Sequence, residues 1–288
     1  MKSKKTRIKK ASAMRTLAKV CQGTSEQPWF VLNAMKGLTQ YKPQLKGISQ
    51  IYRFQAGVSS DTTFAIPDGC IDIMFDCTET TPSAKICGST LRAQNAKLKS
   101  GHEYLGVRFT PGALPRYLNI SAKELISQRL NLFDLAHDRD HLLEKLITNQ
   151  NFNHQVQIIL KHLAREEFSK PSHKTQVALN AINECSGNIQ INELETITGI
   201  SKRTLQRLFR EELGVSPKEF SRIIRCQSAV NQINQLSEVT FIELAHNLGF
   251  SDQPHFMREF KNLVSSTPFA YQRKILESSY ASRIQQVS

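Results

Sequence analysis

The chain has 288 residues, 40% of them hydrophobic, and carries 38 Lys and Arg against 25 Asp and Glu, a formal charge of +13. That length suits two domains, each able to bury a core. The lack of any apolar run near ~20 residues excludes a membrane-spanning helix, and six scattered cysteines without a C-x-x-C pair argue against a disulfide framework or zinc cluster.

The charge does not by itself nominate a nucleic-acid surface. Residues 1–20 hold eight Lys and Arg and no acid, residues 21–171 hold 17 basic and 14 acidic residues, and residues 172–288 hold 13 and 11. The basic segment 1–20 reads as a flexible tail. No apolar core of a secretory signal follows it, so a cytoplasmic protein with reduced, mostly buried thiols is expected.

Residues 21–120 read as a β-rich unit. Short runs at Ile48–Phe54, Cys70–Asp76 and Tyr104–Phe109 are separated by turns, among them Pro67-Asp68-Gly69. Several short strands without long intervening helices suggest a β-barrel or jelly roll. A helical segment over 121–170 opens at Ser121-x-x-Glu124 and includes Asn153–Glu167, and Phe168–Ser172 reads as a linker.

A metal-dependent enzyme would need clustered histidines, and 21–115 has only His102. Asp68, Asp72 and Asp76 are expected to be exposed or bonded to their turn. Arg108 lies on an apolar strand, and a buried Arg needs an anionic partner. That partner is an internal acid such as Asp72, the preferred reading, or a ligand carboxylate, which makes Arg108 a weak ligand-binding candidate.

The last third is written twice. Phe209 to Arg222 aligns with Phe260 to Arg273 at a register of 51 residues, and Leu194 to Ser201 aligns with Leu244 to Ser251 at 50. A repeated unit does its job twice. In the first copy, Asn192 and Glu195 predict a capped helix over Glu193–Thr198 that stops at Gly199, and Ser201 caps a second helix to Glu212. Leu205, Leu208 and Phe209 form its apolar stripe, and Lys202, Arg203, Gln206, Arg207 and Arg210 the opposite face. Ser216-Pro217-Lys218-Glu219 starts a long helix to about Leu236. The second copy predicts a helix over Phe241–Asn247, a turn at Gly249 and a helix from Ser251 or Asp252 to Asn262. Its inner residues are Phe256, Phe260 and Leu263, and its outer ones Gln253, His255, Arg258 and Lys261. This is helix-turn-helix grammar.

The set Ser201-x-x-x-Leu205-x-Arg207-x-Phe209, Gly214-Val215-Ser216-Pro217, Ala245-x-x-x-Gly249-Phe250-Ser251-Asp252 and Phe256-x-x-x-Phe260-Lys261 resembles the DNA-binding domain of AraC-type bacterial transcription regulators. Pro67–Asp72 and Gly106–Ala113 resemble the front domain of a subset of that family. The resemblance implies an α+β protein: a cupin-like β-barrel or jelly roll at 21–120, a dimerising helical segment at 121–170, an all-α domain with two helix-turn-helix units at 174–276, and a tail at 277–288. It also implies that Arg203, Gln206, Arg207, Gln253, Pro254, His255 and Arg258 read bases, with Lys202, Arg210 and Lys261 on phosphates. Double-stranded promoter DNA, RNA polymerase, a small-molecule effector and a second copy are the implied partners, with no cofactor, metal or membrane. The expected function is a sequence-specific regulator, usually an activator, and not an enzyme. The alternatives are a ligand-independent regulator controlled by abundance, or an enzyme with a helical assembly tail.

Overall fold

The computed structural model describes residues 26–58, 62–136, 141–235 and 240–287; the basic segment 1–20, Cys21 and Leu236 lie outside the described residues. The front unit begins with α1 (Pro28–Leu32), followed by β1 (Ala34–Tyr41), β2 (Ile48–Ala56), β3 (Phe64–Ala65), β4 (Asp72–Asp76), β5 (Ser83–Cys87), β6 (Gln94–Asn95) and β7 (Glu103–Phe109). Then come α2 (Ala122–Leu125), β8 (Arg129–Asn131), α3 (Leu132–Leu135), α4 (Leu142–Thr148) and α5 (Phe152–Leu163).

A ninth strand, β9 (Ile284–Val287), arrives from the far end of the chain, giving a seven-stranded sheet ordered β8-β5-β4-β7-β2-β1-β9. The unit is sheet-rich as expected. Its sheet is open rather than a closed barrel, an arrangement compatible with a cupin-like jelly roll.

Side chains alternate across this sheet. Ile51, Ile73, Ile86, Leu105, Val107 and Phe109 face one way and pack with Leu143, Leu146, Val156 and Ile159 of α4 and α5. Leu38, Tyr52, Phe54, Met74 and Tyr104 face the other way and meet Trp29 and Phe30 of α1. Both faces are therefore dry, and all five residues of β4 are buried.

The helical part comprises α6 (His173–Glu184), α7 (Ile191–Thr198), α8 (Lys202–Leu213), α9 (Pro217–Gln235), α10 (Phe241–Asn247), α11 (Gln253–Val264) and α12 (Pro268–Glu277). Among the described residues no helix is long and apolar enough to cross a membrane. The predicted helices are present, and most of the predicted caps hold. One cap differs. α7 starts at Ile191, and the Gln190 N–H donates to Glu193 at 2.7 Å. Asn192 is already inside the first turn, which leaves Glu195 free to accept from the backbone N–H of Lys202.

The first repeat has its own core of Leu194, Leu205, Phe209, Leu213 and Phe220 with Leu179 and Ile182 of α6. The second repeat does not. Leu244, Phe256, Phe260, Leu263, Tyr271 and Ile275 belong to the same cluster as Trp29, Tyr52 and Phe54 on the sheet. Residues 280–287, expected within a tail, are docked on the front unit. Tyr280 is buried, Arg283 donates to Val31 O at 3.1 Å and to Ala34 O, and β9 runs parallel to β1 with Leu38 opposite Ile284 and Tyr41 opposite Val287. The apolar docking of Tyr280 and the guanidinium contacts leave the following residues no route except along the open sheet edge.

The two copies end differently. Gly214 closes α8 at φ 76°, whereas Ser265 closes α11 at φ 62°. A left-handed conformation costs a non-glycine residue about 1–2 kcal/mol, offset in part by glycine's greater unfolded freedom of about 0.4–1 kcal/mol. Ser265→Gly is therefore expected to stabilise the protein by up to about 1 kcal/mol, seen as a Tm rise of about 2–4 °C. An unchanged or lower melting temperature would show that Ser265 is not strained.

Candidate nucleic-acid interface

Each repeat holds one helix in place through its partner and aims that helix's polar side outward. In the first, Ser201 Oγ accepts from Thr204 N–H at 3.3 Å at the start of α8, and Glu195 of α7 accepts from Lys202 N–H. Lys174 of α6 donates to Thr198 O at 2.6 Å and fixes the end of α7. With Leu205, Phe209 and Leu213 buried, helical geometry leaves Lys202, Arg203, Arg207 and Arg210 exposed and Gln206 half-buried.

Arg207 donates to Glu211 one turn later at 2.7 Å. Such a surface pair is worth about 0.3–0.5 kcal/mol. A bidentate contact to guanine is worth about 1–3 kcal/mol, so Glu211 orients Arg207 without holding it back.

In the second repeat, Asp252 accepts from His255 N–H at 2.6 Å at the start of α11. That bond and Ser251 hold the Asp252 carboxyl below its ordinary range, as suits an anion at a helix N-terminus. Phe256, Phe260 and Leu263 point inward as expected. Pro254, Arg258 and Lys261 are exposed, and Gln253 and His255 are half-buried. His255 Nδ1 lies 3.0 Å from Ser251 Oγ, and its ring meets Phe250 edge-on at 5.5 Å. Only Nε2 of His255 is thus left to face outward. The structure brings Lys202, Arg203, Gln206, Arg207 and Arg210 together on one helix and Gln253, Pro254, His255, Arg258 and Lys261 on the other.

Arg108 is elsewhere. It is paired across the ladder with Asp72, to which Nε and Nη2 donate at 2.9 and 2.7 Å, and Nη1 lies 3.4 Å from Asp68. Tyr52 OH donates to Asp72 at 2.8 Å, its ring lying over Gly106, where any Cβ would clash. Burial opposes the Arg108 charge, but the two carboxylates more than restore it. The reading of Arg108 as partner to Asp72 is the geometry found.

Solvent exposure of the three aspartates is corrected, since all are buried. Asp68 does cap its turn through Cys70 N–H at 2.9 Å, and Asp76 lies 2.8 Å from His102 Nδ1. With both sheet faces covered, an acid can stay there only if fully bonded.

Arg108 also borders a cavity of about 220 Å³. Gln50 and Tyr52 of the sheet, Lys42, Glu26 and the C-terminal Tyr280 and Gln286 share its wall. Glu26 is the residue that sequence reasoning missed. Its carboxylate accepts from Tyr280 OH at 3.1 Å and from Asn234 Nδ2, and its backbone N–H donates to Gln227 at 3.0 Å. Burial raises its pKa, opposed by these bonds and by Lys42. No local pattern marks Glu26, because its partners lie 201 to 254 positions away.

Comparison with known proteins agrees with this geometry. A family described as a helix-turn-helix domain matches residues 194–274, and one described as a domain of unknown function matches residues 45–131. An uncharacterized HTH-type transcriptional regulator of Haemophilus influenzae is 24% identical over 205 residues, covering 68% of this chain and 64% of that protein. The HTH-type transcriptional regulator GlxA of Rhizobium meliloti is 38% identical over 78 residues, covering 27% of this chain and 24% of that one. The chain thus spans less than two thirds of the length of these relatives. A crystal structure described as a transcriptional regulator with an AraC-type DNA-binding domain, from Chromobacterium violaceum, shares 24% identity at a TM-score of 0.33, covering 35% of this chain and 91% of that one. With two helix-turn-helix units over residues 194–274, this part of the chain is an AraC-type helix-turn-helix domain, similar to those of proteins named HTH-type transcriptional regulators.

Proposed function

We propose that the protein regulates transcription by binding specific promoter DNA with α8 and α11 as paired reading helices. One observation carries this reading: the same fold unit occurs twice, and each copy turns a capped helix outward with its cationic residues exposed. In this reading Arg203, Gln206 and Arg207 contact base edges from the first helix, and Gln253, Pro254, His255 and Arg258 from the second. Lys202, Arg210 and Lys261 hold phosphates and fix register. The 19 residues of α9 span about 28 Å, close to the ~34 Å of one DNA turn. Two neighbouring major-groove segments on one face of the duplex are thus within reach. The basic residues of segment 1–20 add sequence-independent attraction.

The front unit serves as the sensor in this proposal. A small molecule in the cavity beside Glu26 would touch the sheet and the C-terminal segment together, so its binding would act on the second repeat. Pairing of two copies through the 121–170 segment, activation through RNA polymerase and a cytoplasmic location complete the proposal.

Selection of duplexes from a random-sequence pool by the full chain tests it directly. Failure to enrich any sequence would overturn the reading. On the selected site, Arg207→Ala is expected to cost about 1–3 kcal/mol and to relax preference at one base pair. Unchanged base preferences would remove Arg207 from the reading set.

Glu26 gives a pH signature. Its pKa in the folded protein is raised above the ordinary 4.5 by burial. The protonated carboxyl therefore favours the docked form. This contribution is fully present below 4.5 and lost as pH rises through the raised value. Glu26→Gln is expected to flatten the pH dependence of thermal stability above pH 4.5, over the range in which Glu26 loses its proton. An unaltered slope would assign that dependence to other groups.

A further inference from the structure

Arg225 of α9 stands between the two repeats. Its Nη2 donates to Gly187 O at 3.3 Å, and its Nη1 donates to Gly249 O at 3.3 Å. Gly187 follows the end of α6, which packs in the first repeat's core, and Gly249 follows the end of α10 in the second. Each helix end carries a partial negative charge, and a cation there is favoured. One guanidinium thus serves the C-terminal ends of two helices from different repeats. Its planar fork can reach both carbonyls at once, which an ammonium on a flexible stem does not do. The same guanidinium lies over the Phe250 ring at 5.2 Å, so it also holds the residue after the second turn.

Both turns that Arg225 joins are in close contact with their surroundings. A Cβ on Gly187 would lie 2.2 Å from Ser221 O and 2.6 Å from Arg225 N, so the α6–α7 turn sits directly on the backbone of α9. A Cβ on Gly249 would lie 2.2 Å from Asn188 Oδ1, so the first repeat's loop touches the second repeat's turn. Farther along, Arg222 of α9 pairs with Glu259 of α11.

From this arrangement we infer that Arg225 is a positioning residue: it locks the two reading helices into one rigid body and so sets the base-pair spacing the protein accepts. The inference rests on the DNA-binding reading above. It adds that the heads cannot adjust independently along DNA. Two linked heads gain avidity only when geometry lets both engage.

The test uses the full chain and the duplex selected from the random pool. Inserting one or two base pairs between the two contacted segments is expected to weaken wild-type binding by about 10–100-fold. Arg225→Ala is expected to shrink that penalty to about threefold or less, while contacts within each segment persist in the footprint. Arg225→Lys, which keeps the charge but reaches one carbonyl, is expected to fall between. A loss of stability alone would not shift spacing preference, so an Arg225→Ala or Arg225→Lys protein with the wild-type penalty overturns the inference. A DNA-free measurement separates it from the reading it rests on. With spin labels on Lys202→Cys and Lys261→Cys, in a background carrying Cys21→Ser and Cys185→Ser, the wild-type interlabel distance should be narrowly distributed. Arg225→Ala should broaden it, or Arg225→Lys if the alanine variant does not fold. Equal widths overturn the clamp even if DNA binding stands; a broadened width with no selected duplex upholds the clamp and sinks the DNA reading.

Discussion

The front sheet has two apolar faces and enough helix of its own to cover one. α4 and α5 close the face carrying Ile51, Ile73 and Phe109. The other face, with Tyr52, Phe54 and Tyr104, has from its own unit the short α1 and the residues around β3 and β6, Ile66, Ala96 and Leu98 among them. Leaving it wet would forfeit about 1.5–3 kcal/mol for each large side chain. The second repeat supplies the missing layer. Trp29 shows how tightly it fits: Nε1 donates to Val264 O at 2.8 Å, the ring meets Tyr271 edge-on at 6.0 Å, and Lys274 Nζ lies 4.8 Å above it. The polar contacts of Glu26, Gln227 and Arg283 follow from that burial, since each satisfies backbone or side-chain groups that docking takes out of water.

The same constraint explains the ionic cluster in the sheet. A face that must stay dry is an expensive place for Arg108, Asp72 and Asp68, and the cost is tolerable only because each charge is bonded to another. Burial raises the Asp68 pKa and Arg108 pulls it back. Arg108 lines the cavity, and Asp68 lies in the turn that meets α9, where Gln227 donates to Pro67 O at 2.8 Å.

Local rules reached a long way along this chain. Ser201, Asp252 and Ser121 announced helix starts because a cap is made within three residues. The outward faces of α8 and α11 were legible because 3.6-residue periodicity fixes them once the inner stripe is known. Arg108 with Asp72 was legible because a buried guanidinium demands an acid. β1, β5 and α1 were not predicted. β1 is mostly half-exposed with weak alternation, and α1 is too short for periodicity to show. The docking of the second repeat and the role of residues 280–287 were also hidden. They depend on contacts across more than 200 positions, and neither composition nor spacing near Tyr280 or Glu26 hints at the partner.

That docking also gives a reason for the inequality of the repeats. The first repeat builds its core mainly from its own residues, with Leu91 and Ile126 of the front unit at its edge and α2 against α8, and the α8 face that carries Arg203, Gln206, Arg207 and Arg210 stays open. The second repeat must satisfy a turn clamped to α9 and a sheet at the same time. α11 commits Phe256, Phe260, Leu263 and Val264 to packing, Asn262 O accepts from the front unit's Ala93 N–H at 3.3 Å, and His255 is half-held by Ser251 and Phe250. Fewer of its side chains remain uncommitted. Divergence after duplication thus follows from unequal packing: both copies touch the front unit, but only the second merges its core with that of the sheet.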